Sequence, residues 1–147
     1  MLEKAIAIAV EAHRGQIDKA GKPYILHPLR VMLAGKTEDE MICGILHDVV
    51  EDTPISIEML EKEGFSDTVL EALKLLTRDS KTPYQNYIEA ISKNPLALQV
   101  QLYDLHDNLN RDRIISPTQA DEERMEKYKK AQQYLLGIQK RYSDSTS

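Results

Sequence analysis

The chain has 147 residues, 41% hydrophobic and 29% charged, with 24 acidic against 19 basic side chains and a formal net charge of −5. That length and composition fit one globular domain with its own core and exclude a chain that stays disordered. The acidic balance argues against general affinity for nucleic acid or an anionic membrane, and no apolar run approaches the roughly 18–20 residues of a membrane span.

The N-terminal stretch MLEKAIAIAVEAH is interrupted by Glu3 and Glu11, as a signal peptide would not be, so a soluble cytoplasmic protein is expected. In that stretch Leu2, Ala5, Ile6, Ala9 and His13 recur with helical period, which predicts a helix over residues 2–13. Residues 15–28, GQIDKAGKPYILHP, hold two glycines and two prolines and read as a long, shaped loop. Pro28 then suits the first turn of a helix over 28–35, followed by one over 38–51.

Ser56 caps a helix over 56–63 that Gly64 stops, and Ser66 caps one over 67–77, with Val69, Leu70, Leu73 and Leu76 on one face. Pro83 and Pro95 open helices over 83–92 and 95–110, and Thr118 caps the last, over 118–141. With no strand-like alternation and no internal repeat, the fold class is all-α. The closing RYSDSTS is small and polar, so residues 1–142 are read as one domain and 143–147 as a flexible tail. The single cysteine, Cys43, lies in the apolar run MICGIL and reads as a small buried hydrophobe.

Chemistry concentrates in ILHDVVEDT, residues 45–53, where His47, Asp48, Glu51 and Asp52 stand among apolar neighbours. On a continuous helix His47 lies over Glu51 and Asp48 over Asp52, giving two tiers of paired groups one turn apart. The apolar residues Ile42, Ile45, Leu46, Val49 and Val50 leave little of that helix to water, so the acids need partners or a metal to offset desolvation.

Imidazole and carboxylate are ligands for Mn²⁺, Zn²⁺ or Fe, but two hold an ion weakly. His27, before Pro28, and Asp104, in ALQVQLYDLHDNL, complete a set of two histidines and two aspartates. Taken singly, a histidine beside a proline is usually a loop residue, and an aspartate in a helix usually faces water. On a continuous helix a turn of about 5.4 Å along the axis separates Glu51 and Asp52 from His47 and Asp48. Between residues 13 and 30, four cations (Arg14, Lys19, Lys22, Arg30) stand against one acid, Asp18, a small positive rim suited to an anionic ligand.

The order AHRGQ, GKPYILHP, ILHDVVEDT, LKLLTRDSKTPYQNYIEAI and LYDLHDN resembles the hydrolase domain of the RelA/SpoT family, within the HD superfamily of metal-dependent phosphohydrolases. The resemblance spans about residues 5–111, and the length is similar to that of the stand-alone small alarmone hydrolases, with no synthetase or regulatory domain attached.

It implies an HD-domain helical bundle, Mn²⁺ as cofactor held by His27, His47, Asp48 and Asp104, and a catalytic pair in Glu51 and Asp52. It also implies nucleotide contacts from Asn108, Tyr24 and Lys19, and Asp18 and Lys22 join this substrate-binding set from the same loop. His13, in the family's AHxGQ motif, reads as a structural hydrogen-bonding residue. The implied reaction is release of pyrophosphate from the 3′ position of guanosine tetra- or pentaphosphate, with an anionic nucleotide as partner, neither nucleic acid nor membrane, and a homo-oligomer left open.

Three positions depart from the family pattern. Asp18 stands where the family carries the first residue of a basic pair that helps hold the guanine base, Gln101 stands for a lysine and Leu105 for an arginine. These changes bear on the substrate and leave the reaction class intact. Two alternatives follow: hydrolysis of another nucleotide or phosphorylated metabolite, and a helical nucleotide-binding module without turnover.

Overall fold

Local signals set the helix starts, at Ser56 and Ser66 as read and at Thr37 and Asn94 in addition. Thr37, Ser56, Ser66 and Asn94 each accept a hydrogen bond from the backbone N–H three residues on, and Pro95 follows Asn94 as the first helical residue. The structure, a computed structural model, describes residues 1–145 apart from the side chains of Arg111 and Ser145. Its helices are α1 (Leu2–Ala12), α2 (Leu26–Ala34), α3 (Glu38–Leu46), α4 (Val49–Asp52), α5 (Ile57–Lys62), α6 (Asp67–Leu76), α7 (Tyr84–Ser92), α8 (Pro95–Asn108) and α9 (Gln119–Ser145), with a 3₁₀ turn at Arg111–Arg113.

The fold is all-α, and among the described residues the only β pairing is an isolated bridge between Ile17 and Pro23 inside the loop. No described helix is long and apolar enough to cross a membrane.

Two expectations are corrected. The helix predicted over 38–51 is interrupted at His47 and Asp48. The Nδ1 of His47 lies 2.6 Å from the Gly44 carbonyl, the acceptor that the Asp48 N–H would use in an unbroken helix. A side chain has entered the ladder, and the chain restarts as α4 with Asp52 N–H bonded to the Asp48 carbonyl. At the other end, α9 runs through Ser145, past the end expected at residue 141 and into the expected tail. Residues 146 and 147 of that tail lie outside the described residues.

α8 is the central element, packed against α2, α3, α6, α7 and α9. Its Ala97, Leu98, Val100 and Leu105 are fully buried with Ile45, Leu46 and Val49 from the α3–α4 segment. Cys43 is buried in this core, as expected. The two helices that carry the histidines, α2 and α3, meet across Gly44. A Cβ there would stand 3.0 Å from both Cα and N of Met32, backbone that cannot swing aside. This close approach holds His27 and His47 at one end of a common interface.

Gly44→Ala is therefore expected to lower unfolding free energy by about 1–3 kcal/mol through overpacking. Gly137→Ala, in α9 with open space at its Cβ position, should raise it by about 0.5–1 kcal/mol, as replacing a mid-helix glycine does. Urea denaturation of both variants checks the pair of signs.

Candidate active site

Four side chains from three elements converge at that end. His27 enters from the start of α2, His47 and Asp48 from the break between α3 and α4, and Asp104 from the buried face of α8. One oxygen of Asp104 lies 2.8 Å from Nε2 of His27 and 2.9 Å from Nε2 of His47. An oxygen of Asp48 lies 2.9 Å from His47 Nε2 and 3.7 Å from His27 Nε2. These four ligand atoms all stand within 4.8 Å of one another.

The opposite nitrogens are already committed. His47 Nδ1 donates to the Gly44 carbonyl at 2.6 Å, and His27 Nδ1 donates to Asp107 at 2.6 Å. Each ring therefore presents the lone pair of Nε2 to the centre, the arrangement second-sphere partners impose on metal-binding histidines. Two lone pairs and two carboxylates at this range repel one another unless positive charge sits among them. The donor set of two nitrogens and two oxygens fits a divalent transition-metal ion.

The titration behaviour agrees. Burial alone would depress both imidazoles, but the bonds that a protonated ring donates to Asp104 and Asp107 raise His27, and the charges of Asp48 and Asp104 raise His47 well above its ordinary value. Burial pushes Asp104 up, and the two histidines outweigh it and hold that carboxyl far below the usual range. The site attracts positive charge, whether as protons or as a metal ion.

Glu51 and Asp52 stand exposed at the mouth of the same cavity, of about 290 Å³. This corrects the expectation that the apolar residues around them keep water away. They are also nearer to the ligand tier than helical rise alone predicts, since one oxygen from each of Asp48, Glu51 and Asp52 lies within 4.8 Å of the others. Partial burial, then the charge of Asp48 for Asp52, raises both above ordinary carboxyls. Glu51 also accepts the Arg78 backbone N–H at 2.6 Å and ties the segment after α6 to the site.

The residues expected to touch substrate divide. Tyr24 and Asn108 line the metal-ligand cavity and a neighbouring one, and the Tyr24 hydroxyl donates to Asp48 in a short hydrogen bond. Lys19 and Asp18 line only the neighbouring cavity. Lys19 is held at 2.8 Å by Asp121 of α9, and Asp18 accepts the N–H groups of Ala20 and Lys22 at 2.9 and 3.0 Å. Asp18 thus closes the turn in which Gly21 takes a φ of +78°.

Lys22 is exposed and lines neither cavity. Gln101 lines the metal-ligand cavity, whereas Leu105 is fully buried in the core. His13 is buried with Nδ1 bonded to Gln16 at 2.8 Å, and Gln16 in turn donates to the Asp52 carbonyl at 3.3 Å.

Sequence reasoning missed Asp107 and Arg113, and read Arg30 as part of a positive rim and not as a partner of Asp107. Arg30 donates to Asp107 at 2.7 Å, and Arg113 pairs with it at 3.0 Å, so the carboxyl that orients His27 is itself clamped, with its pKa held down to about 2. Burial opposes that shift, and the bonds from His27 and Arg30 outweigh it. The available signal was spacing, since Asp107 lies three residues beyond Asp104 on the same helix strip. The tyrosines Tyr84, Tyr87 and Tyr128, which also line the cavity, carried no such signal.

No protein-family model matches the chain. It is 33% identical over 120 residues to a guanosine-3′,5′-bis(diphosphate) 3′-pyrophosphohydrolase of Aquifex aeolicus, covering 74% of this chain and 17% of that protein. It is 33% identical over 127 residues to a GTP pyrophosphokinase of Streptomyces coelicolor, covering 78% and 15%. It is 34% identical over 97 residues to the bifunctional (p)ppGpp synthase/hydrolase SpoT of Escherichia coli, covering 63% and 14%. The chain thus spans less than a fifth of the length of these relatives. Among solved structures, a metazoan ortholog of SpoT that hydrolyzes ppGpp superposes with a TM-score of 0.76 at 26% identity, covering 92% of this chain and 84% of that one.

Asp107→Asn keeps all four donor atoms and is expected to weaken divalent-cation binding about 10–100-fold, whereas Asp104→Asn should abolish it. Because both imidazoles are raised above 6.5, protons compete with the ion even near neutrality. Affinity should tighten as pH rises through that range and bind with proton release; calorimetric titration at several pH values checks both statements.

Proposed function

The chain belongs to the RelA/SpoT-type family of HD-domain hydrolases, and from that premise we propose that it is a Mn²⁺-dependent phosphohydrolase that removes the 3′-pyrophosphate of guanosine tetra- or pentaphosphate. The observation that carries the reading is the convergence of His27, His47, Asp48 and Asp104 on one point, with Glu51 and Asp52 at the mouth of the same cavity. Among relatives, the Aquifex protein is named for this reaction, and the metazoan structural neighbour is described as hydrolyzing ppGpp.

His27 and His47 through Nε2, and Asp48 and Asp104 through one oxygen each, would hold the ion. A divalent cation bound there supplies Lewis-acid activation of a phosphoryl oxygen and acidifies water. Water attacks the phosphorus attached to the ribose 3′ oxygen, that oxygen–phosphorus bond breaks, and pyrophosphate leaves while the 3′ oxygen takes a proton. Glu51 and Asp52 receive the proton of the attacking water. Their raised pKa values make them better bases than ordinary carboxylates.

Tyr24 holds Asp48 in position through its hydroxyl. Asn108 borders both cavities, and Arg113 fixes its amide oxygen at 2.7 Å, so its NH₂ group is the part directed to a ligand.

A second reading keeps the hydrolysis and changes the substrate. It is favoured by the neighbouring cavity, where Asp18 is an acid that caps a turn and Lys19 is paired with Asp121, so that position offers no free cation to a guanine base.

A pyrophosphate- and phosphate-release screen with Mn²⁺ across alarmones, ordinary nucleotides and 3′-phosphorylated nucleotides separates the two. The first reading expects release of pyrophosphate from guanosine tetraphosphate in preference to the others. The Glu51→Gln, Asp52→Asn double variant should lose about 10²–10⁴-fold in kcat while retaining bound metal; full activity in that variant would sink the proton-handling role. Since these carboxyls must be ionised to accept a proton, activity should fall as pH drops through their raised pKa values.

A further inference from the structure

The cations around the candidate site are mostly neutralised. Lys19 and Arg124 pair with Asp121 at 2.8 and 2.9 Å, and Arg30 and Arg113 pair with Asp107 at 2.7 and 3.0 Å. Two cations nearby differ: among the described residues neither Arg78, in the wall of the metal-ligand cavity, nor Lys127, in the wall of an adjoining cleft, has a carboxylate within ion-pairing distance.

Both lie instead over the ring of Tyr84, Arg78 with its guanidinium carbon 5.3 Å from the centroid and Lys127 with its ammonium at 4.4 Å. A cation–π contact is weaker than a buried ion pair and leaves the charge available to an anion. Burial, then the nearby charges of Arg78 and Arg124, lower the Lys127 pKa.

Tyr84 connects this pair to the metal-ligand cavity. Its side chain lines that cavity with Arg78, and also lines an adjoining cleft of about 430 Å³ between α7 and α9 with Lys127. Its hydroxyl is buried without a hydrogen-bond partner, so polar capacity is unmet at the same junction. Arg78 is held in place by its Nε bond to the Thr82 carbonyl at 3.2 Å and by its backbone N–H on Glu51. Glu89, also in the cleft wall, is approached by the Gln85 amide at 3.4 Å.

We propose that Arg78 and Lys127, set across Tyr84, form an anion subsite for a second phosphate chain of the substrate, the one not being cleaved. The inference rests on the phosphohydrolase reading and deepens it: the ligand is a nucleotide with phosphate chains on two ribose oxygens, one at the metal-ligand cluster and the other reaching over Tyr84. The subsite favours a substrate with a 5′ di- or triphosphate over one with a free 5′ hydroxyl. It also supplies positive charge that Gln101 and Leu105 do not.

The test uses inorganic tripolyphosphate titrated into the full chain in EDTA, so that binding is read without metal or turnover. The wild type should bind, and Lys127→Gln and Arg78→Gln should each weaken binding about tenfold or more, in line with loss of one charged hydrogen bond. Lys74→Gln, whose lysine pairs with Glu71 at 3.2 Å on α6, should leave it unchanged. Thermal melts verify that the variants fold, and either variant alone suffices.

Absence of binding to the wild type, equal affinity in both subsite variants, or an equal loss in Lys74→Gln would overturn the proposal. Where pyrophosphate release is observed, Lys127→Gln should raise KM for guanosine 3′,5′-bis(diphosphate) and not for guanosine 3′-diphosphate; a rise for both overturns the assignment to the second chain. Tripolyphosphate binding that depends on Arg78 and Lys127, in a protein that releases no pyrophosphate, supports the subsite and refutes the reaction.

Discussion

One carboxylate oxygen of Asp104 sits within 3 Å of Nε2 on two buried histidines, and the surrounding structure is arranged to make that contact tolerable. Imidazoles and carboxylates in an apolar interior carry a desolvation cost that only mutual compensation or a cation offsets. The compensation extends outward from this point: Gly44 and Asp107 take the far nitrogens, Arg30 and Arg113 neutralise Asp107, and Tyr24 donates to Asp48. The outer shell is complete and the inner one has excess negative charge, which is the electrostatic signature of a cation site.

The backbone serves the same end. Gly44 lets α2 and α3 approach closely enough to bring the histidines together, and its carbonyl, captured by His47, ends α3 where the ligands are needed. The interruption lets His47 and Asp48 turn inward while α4 carries Glu51 and Asp52 to the mouth. A continuous helix would have divided these residues by helical geometry; the break divides them by depth, His47 buried and Asp48 half-buried, Glu51 and Asp52 exposed. Charge is layered likewise, with Arg30 and Arg113 paired to Asp107 and, among the described residues, Arg78 and Lys127 without an ion-pair partner on either side of Tyr84.

Much of this was legible in the sequence because the signals are local. Helix starts follow from Ser56, Ser66 and Thr118, whose oxygens accept N–H groups three residues away. The members of the ligand set are named by their chemistry and by their motifs. What was not legible depends on partners distant in sequence or on competition for one group. Asp107 looks like an ordinary helix acid until His27, 80 residues away, is placed against it. The break at His47 is invisible because the apolar period runs through it from Ile42 to Val50, and only the competition for the Gly44 carbonyl ends the helix. Asp18 reads as a charge reversal facing substrate, but its oxygen is consumed by two backbone N–H groups of its own turn. Tyr84 and Tyr128 carry no chemical signal in the sequence, yet they pack against the core and line the cavity.

The account stands on a single ion held by nitrogens from two helices. Pulsed electron paramagnetic resonance of the Mn²⁺-loaded chain counts directly bound nitrogens. Two imidazole couplings are predicted in the wild type, with one lost in His27→Gln and one in His47→Gln. A Mn²⁺ signal without nitrogen coupling, placing the ion among the carboxylates of Asp48, Glu51 and Asp52 alone, would contradict it.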